Sequence, residues 1–182
     1  MNDEDSAVVY LELQTWVQNF SELSALDGLH PDEVVLLWTM GLRSIDSIAA
    51  MPAEDFVAEV RSYYALEATE GVRSDQLDAL RSEGLKTVHQ IAETPVQRLE
   101  DILSSARRGA RPQAETIHET SVRVRSEWSQ GSTKTTAAWA TPEALKAQHK
   151  DSQKRLASRE SGEDITDPNF ALLVAGLPAL NA

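Results

Sequence analysis

The chain has no cysteine among its 182 residues. Disulfides, thiolate metal sites and cysteine nucleophiles are therefore excluded, although the compartment is not fixed. Aromatic residues are scarce, at 5%, so Leu, Ile, Val and Ala must fill most of any core. No apolar run approaches the ~20 residues that a membrane helix needs, and no membrane insertion is expected. The opening Met1-Asn2-Asp3-Glu4-Asp5 is acidic, where a secretory signal or transit peptide would be basic. The expected location is the cytoplasm where the chain is made, with leaderless export as part of an assembly also open.

Catalytic signatures are missing as well. His30, His89, His118 and His149 lie far apart, with no H-x-x-x-H or H-E-x-x-H spacing. There is no G-x-S-x-G nucleophile elbow. Ser132-Thr133-Lys134-Thr135 lacks the spaced glycines and the preceding strand of a phosphate loop, and reads as linker. No carboxylate falls in an apolar run that would raise its pKa for acid–base work. Neither an enzyme, a metal site nor a cofactor is expected.

Positive charge is short in one half. The net charge is -12. Residues 1–70 carry 14 acids against only Arg43 and Arg61, a balance of -12. Residues 71–161 stand at +3, and the last 21 residues at -3. The N-terminal half should repel nucleic acid and anionic membrane.

What the chain does have is a repeat of itself at a 43-residue offset. Leu37, Gly41-Leu42, Ile45, Ile48-Ala49, Pro52 and Phe56 return as Leu80, Gly84-Leu85, Val88, Ile91-Ala92, Pro95 and Leu99. Such a period marks a supersecondary unit that buries its apolar face against a copy of itself. Each copy has one grammar. A helix stops at Gly41 or Gly84, which take the left-handed conformation cheaply. Ser44 or Thr87 then caps a short helix, and Pro52 or Pro95 opens the next. Tyr63, Tyr64 and Leu66 are expected to cover the junction between the copies.

Flanking segments complete the reading. Val9, Leu13, Trp16, Val17 and Phe20 have helical spacing over 6–20, and Pro31 starts a helix that carries Val34, Leu37 and Trp38. Ala114, Ile117, Ser121, Val124 and Trp128 line a helix over 112–128. Residues 130–141 read as linker. Pro142 to Ser158 forms a helix that is polar nearly all round, so it either frays or needs a partner. Phe170, Leu173, Val174 and Leu177 lie at i, i+3, i+4 and i+7 behind Asp167-Pro168, the pattern of a helix-in-groove ligand.

The repeat resembles the helix-hairpin-helix and SAM-like units of DNA-repair proteins, which grip phosphates through glycine-rich hairpins. That likeness implies phosphate contacts at the equivalent Arg43 and Lys86. Each hairpin here carries one glycine, not G-x-G. The phrase G-L-x-S-I-x-x-I-A-x-x-P-x-x-x-F, with the helix from Ala114 to Trp128, is similar to helical modules in the A subunits of bacterial Tc-type toxin complexes. This resemblance covers about residues 32–128. It implies a shared packing module in a toxin or delivery assembly, with Gly41, Ile45, Ile48, Phe56, Gly84, Val88, Ile91 and Leu99 at structural positions.

The expected fold is all-α. Two tandem helix-hairpin-helix-like units form a head over 1–128, a flexible linker with a polar helix spans 129–164, and 165–182 is an apolar docking segment. The expected function is a non-enzymatic adaptor or assembly subunit that binds protein partners through the head and the apolar segment. A homo-oligomer is compatible with that role. Nucleic-acid binding through Arg43 and Lys86 is the alternative.

Overall fold

The computed structural model describes residues 3–26, 28–106, 111–132 and 138–161. In chain order the helices are α1 (Asp3–Ser24), α2 (Pro31–Thr39), α3 (Ile45–Ala49), α4 (Ala53–Glu67), α5 (Ser74–Ser82), α6 (Val88–Glu93), α7 (Val96–Ala106), α8 (Arg111–Ser129) and α9 (Pro142–Glu160), with a 3-10 turn at Ala138–Ala140. The described residues contain no strand. The protein is all-α, as its sequence pattern requires. The docking segment 165–182, with Phe170, Leu173, Val174 and Leu177, lies outside the described residues.

Two glycine turns fix where α2 and α5 stop. Gly41 has φ +84° and Gly84 φ +81°. The Gly41 N–H donates to the Trp38 carbonyl at 3.0 Å, and the Leu42 N–H to the Leu37 carbonyl at 2.9 Å. In the second copy, Gly84 donates to Arg81 at 3.0 Å and Leu85 to Leu80 at 2.9 Å. Both turns are Schellman closures, which satisfy carbonyls that the helix end leaves open. The next helix then starts on a cap of its own. Ser44 Oγ accepts from the Ser47 N–H at 3.2 Å, and Thr87 Oγ1 from the Gln90 N–H at 3.3 Å. Ser47 and Gln90 reach back to the cap backbones, which makes both starts reciprocal capping boxes.

The contacts divide the chain into two compact units, Met1–Pro52 with Ala147–Ala182, and Ala53–Lys146. One division falls inside the first copy of the repeat, after Pro52, and the other inside α9. In the first unit, Leu23, Leu26, Val34, Leu37, Ile45 and Ile48 are buried. Its share of α9 is held in a different manner. Gln148, His149 and Ser152 are buried there. His149 Nε2 donates to the Met51 carbonyl at 2.7 Å, and Arg155 Nη2 to the Ala25 carbonyl at 2.7 Å. Arg159 pairs with Glu22 at 3.4 Å and with Asp46. The polar helix therefore finds its partner in its own chain. Hydrogen bonds and ion pairs anchor it where large aliphatics are few.

In the second unit, α8 packs on α6 and α7. It buries Ala114, Ile117, Ser121 and Val124 of the predicted stripe, while Trp128, its last member, is half-buried. Phe56, Val60, Leu80, Ile91, Leu99 and Leu103 are fully buried with it. Ser62 Oγ accepts the first N–H of α6, from Val88, at 3.0 Å. The Arg61 guanidinium lies over the Trp128 ring, 4.0 Å from its centroid. Burial lowers the Arg61 pKa, and Glu143 opposes that shift. Tyr63 is buried, and its hydroxyl has no hydrogen-bond partner among the described residues. Burial first, then Glu67 and Asp78, raise its pKa above the ordinary 10.0, against the pull of Arg81.

Among the described residues no atom lies within 4 Å of where a Cβ on Gly41 or Gly84 would sit, so the cost of alanine there is conformational. Gly41→Ala and Gly84→Ala should each lose about 1–2 kcal/mol in urea unfolding; unchanged midpoints would contradict the turn assignment. The folded chain also keeps the Tyr63 proton above pH 10.0, where the unfolded chain releases it. The stability tied to that proton is complete below pH 10.0 and is lost as pH rises past it. Tyr63→Phe should flatten this alkaline decline at little or no cost at neutral pH, because the hydroxyl has no partner to lose.

Candidate docking site

α1 carries five carboxylates, from Asp3 to Glu22, and no basic residue. Its C-terminal half enters the first unit through Leu23. Further back, residues 11–16 are all exposed. Three aromatic rings mark the transition. Trp16 stacks on Phe20 at 5.5 Å between centroids and meets Trp38 of α2 edge-on at 5.7 Å, while Phe20 and Trp38 lie 6.0 Å apart. Each such pair contributes about 0.5–1.5 kcal/mol beyond the area it buries. The cluster fixes α1 on α2 by its aromatic edges.

Beside these rings is a cleft of about 370 Å³, lined by Leu11, Glu12, Thr15, Trp16, Trp38 and Arg43 among others. Two of its lining residues, Leu11 and Trp16, are among the exposed large apolar side chains of α1 and α2. Leu11 is 62% exposed, Leu13 55%, Val35 54% and Trp16 48%. Single exposed aliphatics are ordinary, but Leu11 and Trp16 are exposed on the wall of the cleft itself. Arg43 stands at this cleft, its guanidinium 5.9 Å from the Trp38 ring centroid. It is the one Lys or Arg before residue 61.

The two cations aligned by the repeat have separate surroundings. Arg43 belongs to the first unit and Lys86 to the second. Lys86 Nζ lies 3.5 Å from Glu59, which Arg81 also meets at 3.4 Å. Glu59 is a buried carboxylate that the sequence reading missed. Its place between Val57 and Val60 on α4 was the available signal. Leu11 and Val35 were missed too, because each stands off the apolar stripe of its helix. Among the described residues no group of three or more His, Asp or Glu could hold a metal ion. No described helix is long and apolar enough to cross a membrane.

Comparison of the chain with family models, curated proteins and solved structures gives no match. The cleft therefore has to be read from its own chemistry, which is apolar and aromatic, with carboxylates along α1. Leu11→Ser and Val35→Ser should each change folding stability by less than about 0.5 kcal/mol, as expected for side chains that are more than half exposed. A loss of about 2 kcal/mol in chemical unfolding would mean that the fold itself covers them.

Proposed function

We propose that the chain is a non-enzymatic adaptor or assembly subunit whose helical head docks a basic amphipathic helix of a partner protein. The observation that carries this reading is the cleft whose wall exposes Leu11 and Trp16 beside the Trp38 ring. An apolar helix face laid into such a cleft removes both surfaces from water. Each large side chain fully buried contributes about 1.5–3 kcal/mol, less the cost of ordering the complex. Charge selects the partner's other face. Five carboxylates on α1, within a region of -12, favour lysines and arginines and disfavour acids.

Two tandem helix-hairpin-helix-like units form the head in this reading, supported by the matched glycine turns and capping boxes of the two copies. The apolar segment Phe170, Leu173, Val174 and Leu177 is the second docking element. The phrase shared with helical modules of Tc-type toxin A subunits supports a bacterial toxin or delivery assembly as the setting.

A synthetic helix with leucines at i, i+3, i+4 and i+7 and lysines on its opposite face should bind the chain. The same peptide with glutamates in place of the lysines should bind at least about tenfold more weakly, a difference of about 1.4 kcal/mol. Trp16→Ala should cost a similar factor, and added salt should narrow the gap between the peptides. Equal binding of both peptides, or full binding by Trp16→Ala, would overturn the proposal.

A further inference from the structure

The 43-residue offset of the repeat carries Pro31–Thr39 residue for residue onto Ser74–Ser82, so α2 and α5 have the same length and the same place in their copies. It also pairs Trp16 with Glu59, Phe20 with Tyr63, Trp38 with Arg81 and Arg43 with Lys86. Each set gathers in its own compact unit, and the contacts within the two sets correspond. Trp16 meets Trp38 at 5.7 Å between centroids, where Glu59 meets Arg81 at 3.4 Å. Phe20 lies 6.0 Å from Trp38, and the Tyr63 ring lies 5.6 Å from the Arg81 guanidinium. The aromatic cleft therefore takes, in the first copy, the place of an ion cluster in the second.

One difference between the sets bears on charge. In the second copy Glu59 is buried and serves two cations, with Lys86 at 3.5 Å and Arg81 at 3.4 Å. In the first copy an indole stands at the position of that carboxylate, yet Arg43 keeps the cation. Among the described residues Arg43 has no ion pair, not even with Glu12 on the same cleft. Its contact is the Trp38 ring, 5.9 Å from guanidinium to centroid. A ring does not take the place of a carboxylate, because Arg81 lies over the Tyr63 ring and holds Glu59 as well. A guanidinium presents a planar fork of donors. Covering Arg43 with an apolar face alone would strip its water and return no counter-charge, which is unfavourable.

We infer that the partner helix carries one carboxylate, an Asp or Glu at the border of its apolar face, that pairs with Arg43 as Glu59 pairs with Lys86. The inference rests on reading the cleft as the docking site of a basic amphipathic helix, and it adds a single acid to that ligand. The five carboxylates of α1 set the general preference for lysine and arginine. Arg43 reverses that preference at one position, which fixes the register and the direction of the bound helix.

Peptides derived from the lysine-bearing helix test this on the full-length chain. One residue is changed in turn at i−1, i+1, i+6 and i+8, the positions that border the leucine stripe, to Glu in one series and to Gln in another. The Glu peptide should bind more weakly than its Gln counterpart wherever it faces α1. At one position it should bind about tenfold more tightly, the gain expected of a charge-assisted pair. Arg43→Gln should abolish that gain. Arg43→Lys, which places the second copy's cation in the first, should keep most of it. Glu weaker than Gln at all four positions, or a gain that survives Arg43→Gln, would overturn the inference while the cleft remains a docking site. Failure of the parent peptide to bind would remove the docking reading itself, and this inference with it.

Discussion

Helices of five to nine residues do not persist alone in water, because nucleation costs more than so few hydrogen bonds return. α2, α3, α5 and α6 are all of this length, and everything else in the molecule is built around them. They persist because both ends of each inter-helix turn are chemically closed. A left-handed glycine satisfies the carbonyls of the outgoing helix, and a Ser or Thr capping box satisfies the amides of the incoming one. The apolar residues between, Leu37 with Ile45 and Leu80 with Val88, are then delivered to buried positions. Without the closures, the short helices would have to be held by packing alone, in a chain with few aromatics.

That arrangement leaves α1 as the exception. It is the longest helix among the described residues, and its residues 11–16 are all exposed. Three aromatic rings, Trp16, Phe20 and Trp38, join α1 to α2 just past that exposed stretch. Under the proposed function, the exposed residues 11–16 are kept for what they bind. The same logic explains the segregation of charge in the sequence, with acids on the head and no charge on the segment from 168 onward.

Much of the architecture was legible in the sequence, and the reasons are physical. Gly41 and Gly84 could be read as turns because few other residues take positive φ at low cost. Ser44 and Thr87 could be read as caps because of their distance from those glycines. The stripe of α8 could be read because 3.6-residue periodicity survives wherever one face is buried. α9 was legible as a helix from Pro142, but its packing was not, because its anchors are His149, Arg155 and Arg159, whose partners are backbone carbonyls and carboxylates distant in sequence. Periodicity carries no signal for such contacts. The cleft was half legible: Trp16 and Trp38 stood on apolar faces, but a pattern shows which face is apolar and not what covers it. Glu59 shows the converse case, a charge placed in an apolar run because Arg81 and Lys86 come to it from another part of the chain.

The central claim is that the α1–α2 cleft is where this protein binds. The four tryptophans test it directly, because Trp16 and Trp38 flank the cleft while Trp128 and Trp139 belong to the second unit. Indole N–H resonances followed by NMR, as the lysine-bearing helical peptide is added to the full chain, report all four at once. The account predicts that the Trp16 and Trp38 signals move with saturation while those of Trp128 and Trp139 stay in place. Movement confined to Trp128 and Trp139, or none at Trp16 and Trp38 when binding is saturated, would contradict it.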